Sequence, residues 1–450
     1  MTKHVPASQI PALAAQVLGG NDVGGMVVAS PGLYPHMWSW DTAFIAIGLS
    51  HLSVKRAVEE MSTLLRGQWD TGMIPHILYS EHEGYFPDHA RWGTASLSPP
   101  GVRTSGICQP PVHAIALSRI LERARSVGGD DRRLVEGFLR DTMPSWFAWH
   151  RWLSTERALP GDSLLHIHHS WESGMDNSPR WDEAYRRVHP GAMPPFTRLD
   201  SSHVSEPEQR PDDADYQRFV WLVDQLRRAG YRTADIRQTV DFCVQDVFFT
   251  SVASASAEAL AGLVDEFAPR LGADELRAFA ARAAAAVDAT RSPQTGLARD
   301  RDARAGVWLE AATISGFAPI ISSRDEAVLD AQLEVLLGQD WLSYPGLSYR
   351  TIPSTSPSSE AFAPKSYWRG PSWPVVNWLF EWSLRRRGRI GVADELREES
   401  LEQLSDGTFS EYYHPLQGQG LGSRRQSWTA AVALDWASSM GRGRRSSVVG

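Results

Sequence analysis

The chain reads as an all-α protein whose helices form two concentric rings of six, roofed by long loops. Three observations predict this. Apolar residues recur at helical spacing along nearly the whole chain, whereas alternating, strand-like segments are few and short. About a dozen helical segments can be marked out. They are joined by short turns on one side and long loops on the other, which is the connectivity two nested rings require.

The segments, in order, begin with 42–66, which starts behind Trp38-Ser39-Trp40-Asp41. Segments 110–127 and 131–153 follow, and in the second Trp146, Trp149 and Trp152 fall at i, i+3, i+6 and read as core. The periodicity continues through 216–230, 233–249, 252–269, 274–290, 306–321 and 324–338. Segment 371–387 opens inside Tyr367-Trp368-Arg369-Gly370-Pro371-Ser372-Trp373-Pro374, with Trp378 and Trp382 as core, and 391–405 and 426–440 complete the set. Four loops, about 67–109, 154–215, 339–370 and 406–425, hold nearly all the unusual chemistry. Functional residues belong on loops held by a rigid scaffold. No composition break marks a linker and no repeat is visible, so 1–440 reads as a single domain with these loops as its cap. Residues 441–450 read as a disordered tail.

Bulk properties narrow the function. The chain has 450 residues, 42% of them hydrophobic, enough for a large core. A net charge of −8 argues against nucleic acid as a partner, which calls for a basic patch. An anionic small molecule is still admitted, because a few local Arg residues suffice to bind one. Lys3, Lys55 and Lys365 are the only lysines, a bias that reads as genomic base composition. Two cysteines, Cys108 and Cys243, are too few for a disulfide framework or a cysteine metal site. Pro6 and Pro11 interrupt the N-terminal apolar run, which speaks against a signal peptide, and no stretch approaches a membrane span in length. The expectation is a soluble, cytoplasmic protein without a membrane partner; a homo-oligomer is left open.

The most informative segment is His169-Ser170-Trp171-Glu172-Ser173-Gly174-Met175-Asp176-Asn177-Ser178-Pro179. Gly174, Asn177 and Pro179 argue for a turn that holds its two carboxylates at a helix mouth. Aromatics stand beside an acid or Arg again at Trp38–Asp41, at Tyr367–Pro374 and at Phe409-Ser410-Glu411-Tyr412-Tyr413, in a chain with 18 Trp. Sugars present apolar C–H faces and a rim of hydroxyls, so their sites need flat aromatic platforms beside Asp, Glu, Arg and Gln. Acid catalysis on a sugar is the chemistry this suggests. Each residue also has a plainer role open to it: Asp176 in an Asx turn, Glu411 as a surface acid, Asp41 as an N-cap for a helix from Thr42, and Arg210 paired with its acidic neighbours. His166, His168 and His169 read as loop residues and not as a metal site. Gly418-Gln419-Gly420-Leu421-Gly422 lacks the strand and Lys-Ser/Thr of a phosphate loop and reads as a flap beside Glu411. Ser354–Ser359 reads as a polar lid.

Taken together, Trp38–Asp41, Ser105-Gly106-Ile107-Cys108-Gln109-Pro110-Pro111, Trp171–Asp182, Tyr367–Pro374 and Phe409–Tyr413 resemble glycoside hydrolase family 63, in particular its bacterial mannosylglycerate and glucosylglycerate hydrolases. The resemblance implies an (α/α)6 barrel, inversion of configuration, no cofactor or catalytic metal, and an anionic α-hexosyl glycerate as substrate. It implies Asp176 as the acid and Glu411 as the base, with Asp182 the nearest rival for the acid and Glu172 steadying the turn. Asp41 and Gln109 would contact sugar hydroxyls, with Tyr34 beside the same subsite. Trp368 and Trp373 would wall the ring, with Arg369 as a hydroxyl donor, and Trp38 and Trp40, ahead of Asp41, are further substrate contacts. Arg210 and Tyr216 would clamp the glycerate carboxylate, and Tyr85, Tyr367 and Gln426 are further candidates for that pocket. A trehalase-like or oligosaccharide α-glucosidase, a sugar epimerase on the same barrel and a non-catalytic sugar-binding barrel are the alternatives. Glucose against mannose is left open.

Overall fold

A computed structural model describes residues 4–159, 161–198 and 206–443. Six helices pack side by side into a closed inner ring: Ser39–Leu52, His113–Val127, Val247–Phe267, Ala318–Ser322, Pro374–Arg386 and Ser427–Gly443, the last returning to the first. The fourth is short because it continues a 3-10 turn, Ile314–Phe317. Each inner helix carries an outer partner: in the same order, Val54–Leu65, Gly129–Glu156, Asp274–Ala289, Glu326–Leu336, Ile390–Gln403 and, for the last, Ile10–Gly20. This is an (α/α)6 barrel.

Inner helices touch neighbours on every side, so their sequences lose the polar stripe of a surface helix. Ser39–Leu52 is buried from Ser39 through Ser50. Val247–Phe267 carries Ala253, Ser254, Ala255, Ser256 and Ala257, small residues that let four neighbouring helices approach closely. That helix corrects one expectation: with 21 residues and a mean hydropathy of 1.5 in its most apolar window, it is long and apolar enough to cross a membrane. It is instead the buried wall of the barrel. Outer helices keep the amphipathic pattern, as in Val54–Leu65, where Val54, Ala57, Val58, Met61 and Leu64 are buried.

The twelve barrel helices are not the twelve segments read from periodicity. Segment 42–66 is two helices, because Ser53 turns extended and its hydroxyl caps the second by accepting the Arg56 N–H. Ile10–Gly20 has no counterpart among the periodic segments, since Pro11 reads as an interruption; the proline stands at the start of the helix, where its missing N–H costs nothing. Segment 216–230 (Asp213–Arg228) and the first half of 233–249 (Thr233–Thr239) are helical but lie outside the two rings, in the cap. Segment 306–321 begins as a strand, Val307–Leu309, in a small antiparallel sheet with His166–Ile167, Val244–Gln245 and Asp300–Asp302. Of the expected tail, 441–443 continue the last helix, and 444–450 lie outside the described residues. The expected polar lid is also different: Ser354, Thr355 and Ser356 are buried, and the Ser354 hydroxyl accepts the Gly370 N–H at 2.9 Å.

Candidate active site

At one end of the barrel the loops enclose a cavity of about 360 Å³. Tyr34, Trp38, Trp40, Asp41, Tyr85, Gln109, Asp176, Arg210, Tyr216, Tyr367, Trp368, Glu411 and Gln426 all line it. Two expected members do not. Trp373 lies behind Trp368, stacked on it at 3.7 Å between ring centres and 2° between planes, so it stiffens the wall without forming its surface. Arg369 turns away from the cavity into a two-point ion pair with Asp182, 2.8 Å at each oxygen. Asp182, held by that pairing, does not line the cavity either. His76, His82, Phe86, Trp92, Trp171, Phe219 and Trp428 line the cavity without having been singled out for it. Trp171 and Trp428 lay within or beside motifs already in view and could have been included; the rest stand in segments without a local signal.

The turn that carries Asp176 is built in layers. Ser170–Ser173 is a 3-10 turn ended by Gly174 in the left-handed region at φ +71°. A Cβ there would lie 2.6 Å from the Trp40 ring, so glycine is what allows the turn to sit against that wall. Glu172 anchors the turn from beneath, accepting the His168 N–H at 2.7 Å and a contact from the Arg157 guanidinium; both side chains are buried. Next to Asp176, the Asn177 side chain accepts the Trp368 N–H at 2.9 Å, and its carbonyl accepts from Arg369 at 3.2 Å. The turn that carries Asp176 is therefore tied to the loop that carries the Trp368 wall.

Glu411 is presented by a hairpin in which Tyr412–Tyr413 pairs with Gly420–Leu421. The glycine-rich segment is thus an arm of the hairpin that supports Glu411. Gly422 returns so close that a Cβ would sit 2.5 Å from Glu411 Oε2, and the Ser423 N–H donates to that oxygen at 3.0 Å. Arg210 Nη2 donates to the same oxygen at 2.9 Å, and Tyr34 donates to Oε1 at 2.9 Å. The partner of Arg210 is therefore neither free solvent nor its acidic sequence neighbours. Tyr367, at φ +40°, and Phe409, at φ +46°, hold strained backbone on either side of this arrangement.

Asp41 is in the first turn of its helix and lines the cavity, while Trp38 takes the cap position. Burial, reinforced by the nearby Glu411 and Asp176 charges, holds its carboxyl well above the usual carboxylate range. A neutral carboxyl can both donate and accept, which suits a sugar hydroxyl. Gln109 Oε1 faces the Trp40 N–H at 3.4 Å, and Tyr216 donates to the Phe86 carbonyl at 3.2 Å. Among the described residues Arg210 is the one Arg or Lys lining the cavity. Burial opposes its charge, but Glu411 and the Tyr34 and Tyr367 phenols outweigh that and hold it firmly protonated. The histidines expected as loop residues are buried: His169 accepts the Trp171 N–H at 3.0 Å, and burial holds it down to about 3.

Comparison with known proteins gives the family and the fold. A family model, the mannosylglycerate hydrolase MGH1-like glycoside hydrolase domain, matches residues 34–429. The chain is 46% identical over 439 residues to the glucosylglycerate hydrolase of Mycolicibacterium hassiacum, covering 95% of this chain and 98% of that one. It is 36% identical to the mannosylglycerate hydrolase of Thermus thermophilus, covering 94% and 99%. A crystal structure of a family 63 mannosylglycerate hydrolase from Thermus thermophilus, in complex with Tris and D-glycerate, superposes with a TM-score of 0.87 at 34% identity, covering 95% and 99%.

Proposed function

The chain belongs to the MGH1-like glycoside hydrolases of family 63, and from that premise we propose that it hydrolyses glucosylglycerate, and mannosylglycerate as a second substrate, to free hexose and glycerate with inversion at the anomeric carbon. The observation that carries the reading is the meeting, in one aromatic-walled cavity, of Asp176, Glu411 and Arg210, the one lining Arg or Lys among the described residues. Similarity to relatives that bear the names glucosylglycerate and mannosylglycerate hydrolase supports the substrate class.

In this reading the hexose ring lies against the wall that Trp40 and Trp368 form together, with Asp41 and Gln109 on its hydroxyls. Asp176 gives its proton to the glycosidic oxygen as the bond to the anomeric carbon breaks. A water on the opposite ring face bonds to that carbon and passes its proton to Glu411. The glycerate carboxylate is held by Arg210 with Tyr85, Tyr216, Tyr367 and Gln426 around it. An Arg fork matches a carboxylate in two-point geometry, which a neutral sugar aglycone does not offer.

The test is hexose release from equimolar glucosylglycerate, mannosylglycerate, trehalose and maltose. The first should be cleaved fastest, followed by the second. Faster cleavage of trehalose or maltose would overturn the substrate assignment.

A further inference from the structure

The cation assigned to the substrate's carboxylate already has a carboxylate partner. Arg210 Nη2 donates to Glu411 Oε2 at 2.9 Å, and Nη1 donates to Tyr34 Oη at 2.7 Å. Tyr34 in turn donates to Glu411 Oε1 at 2.9 Å, and the Ser423 N–H donates to Oε2 at 3.0 Å. The Arg210 and Glu411 side chains are 3% and 2% exposed, so solvent ions do little to screen the pair. An ionised carboxylate has about four acceptor positions. With three donors on it, Glu411 keeps about one, and Oε2 is the more crowded oxygen. The Arg210 Nε–H, meanwhile, is buried and has no acceptor among the described residues. One edge of the fork is thus engaged on the base and the other is unsatisfied.

We propose that Arg210 holds Glu411 out of service while the aglycone subsite is empty, and that the aglycone's carboxylate releases it, so that selection for an anionic aglycone acts on turnover as well as on binding. This rests on the reading of Arg210 as the carboxylate's ligand. The planar fork meets one carboxylate through two parallel N–H groups better than it bridges two. When the incoming carboxylate takes the unpartnered Nε–H together with Nη2, Oε2 regains the lone pair that Arg210 had occupied. The attacking water can then bind there and lose its proton to Glu411. A neutral aglycone brings no such competitor and leaves the guanidinium on the base. Tyr34 is the hinge of the exchange, since it bonds both Arg210 and Glu411 and keeps the carboxylate in place as the cation shifts.

The test uses the full-length enzyme and α-glucosyl fluoride, a donor with no aglycone carboxylate. Its C–F bond breaks as the water oxygen bonds to the anomeric carbon, the water's proton goes to Glu411, and fluoride leaves as the anion. Added D-glycerate should accelerate fluoride release about tenfold, the weight of one charge-assisted hydrogen bond. The effect should saturate over the range in which calorimetry shows glycerate binding, and glycerol, of like size and uncharged, should not reproduce it. Glycerate that binds yet inhibits, or leaves the rate unchanged, overturns the proposal while leaving the substrate assignment standing. Glycerate that fails to bind refutes the carboxylate assignment and the proposal with it. Folded Arg210→Gln should lose the acceleration, and its retention there would also overturn the proposal. With full substrates, glucosylglycerate should exceed glucosylglycerol in kcat; a difference confined to KM would count against release of the base.

Discussion

Replacing Gly422 by alanine should cripple catalysis while lowering the melting temperature by only a few degrees. The added Cβ would lie 2.5 Å from Glu411 Oε2, 2.5 Å from Tyr412 Cε1 and 3.0 Å from Glu411 Cβ. Comfortable heavy-atom contacts are about 3.5 Å or more, so the carboxylate has to move by about 1 Å. It cannot absorb the shift freely, because Arg210, Tyr34 and the Ser423 N–H hold it from the other sides. A misplacement of about 1 Å at a reacting group is worth about a hundredfold in rate, or about 2.7 kcal/mol of transition-state stabilisation. Gly422 also sits at φ +68°, where a Cβ costs about 1–2 kcal/mol, and wedging it against the buried Tyr412 ring and the held carboxylate costs about 1–3 kcal/mol more. Unfolding entropy for 450 residues is about 0.9 kcal/mol per kelvin, so the melting temperature should fall by about 2–5 °C. Gly418→Ala is the matched control. It lies in the same hairpin at φ +70°, but its Cβ would meet the half-buried Tyr349 ring at 2.8 Å and not the base. The assay is kcat/KM on glucosylglycerate beside thermal unfolding of both variants. Full activity in Gly422→Ala, or an equal loss in Gly418→Ala, would refute the placement of Glu411 as the base.

Asp176→Asn and Glu411→Gln should each leave a folded protein with activity reduced by about 10²–10⁴-fold, since each removes half of a proton-transfer pair. Proton NMR during turnover of an α-linked substrate should show the β-anomer of the hexose first; initial α-anomer would rule out inversion. Acid should destabilise the fold well above the pH at which ordinary exposed carboxylates protonate. Burial holds His36, His113 and His169 down to about 3, and His150 and His166 down to about 4. The unfolded chain therefore takes up protons first as pH falls below the ordinary histidine value near 6.5, and each group removes about 1.4 kcal/mol per pH unit down to its folded value. Burial raises Glu60 to about 7 and Asp300 to about 6, which works in the opposite sense and offsets part of the loss. The net expectation is a urea midpoint that is highest above pH 6.5 and falls steadily toward pH 4.5, less steeply in His150→Gln. A flat midpoint over that range would contradict the buried, neutral histidines.

Periodicity and local motif determine much about this protein, because both are properties of neighbouring residues. The apolar spacing of segments such as 110–127 and 274–290 marks helices that the structure ends within a few residues of the same points, His113–Val127 and Asp274–Ala289. The Glu-Ser-Gly-Met-Asp turn announces itself through Gly174 and Asn177, and the clustering of Trp with acids marks where a sugar site would be. Ring membership is another matter. Asp213–Arg228 has the pattern of a barrel helix and is part of the cap, while Ile10–Gly20 carries a proline that reads as a breaker and completes the outer ring. The same limit applies inside one motif. Trp368 and Trp373 have equal claim to the cavity by composition, yet a helix start stacks the second behind the first. Arg210 and Arg369 both stand ready to meet a ligand by sequence. Closing the ring gives Arg369 to Asp182 and Arg210 to Glu411, across separations of 187 and 201 residues. Charge pairs form between whatever groups the backbone brings within reach. The sequence therefore determined which side chains were available to the site, and only the closed barrel decided which of them face one another.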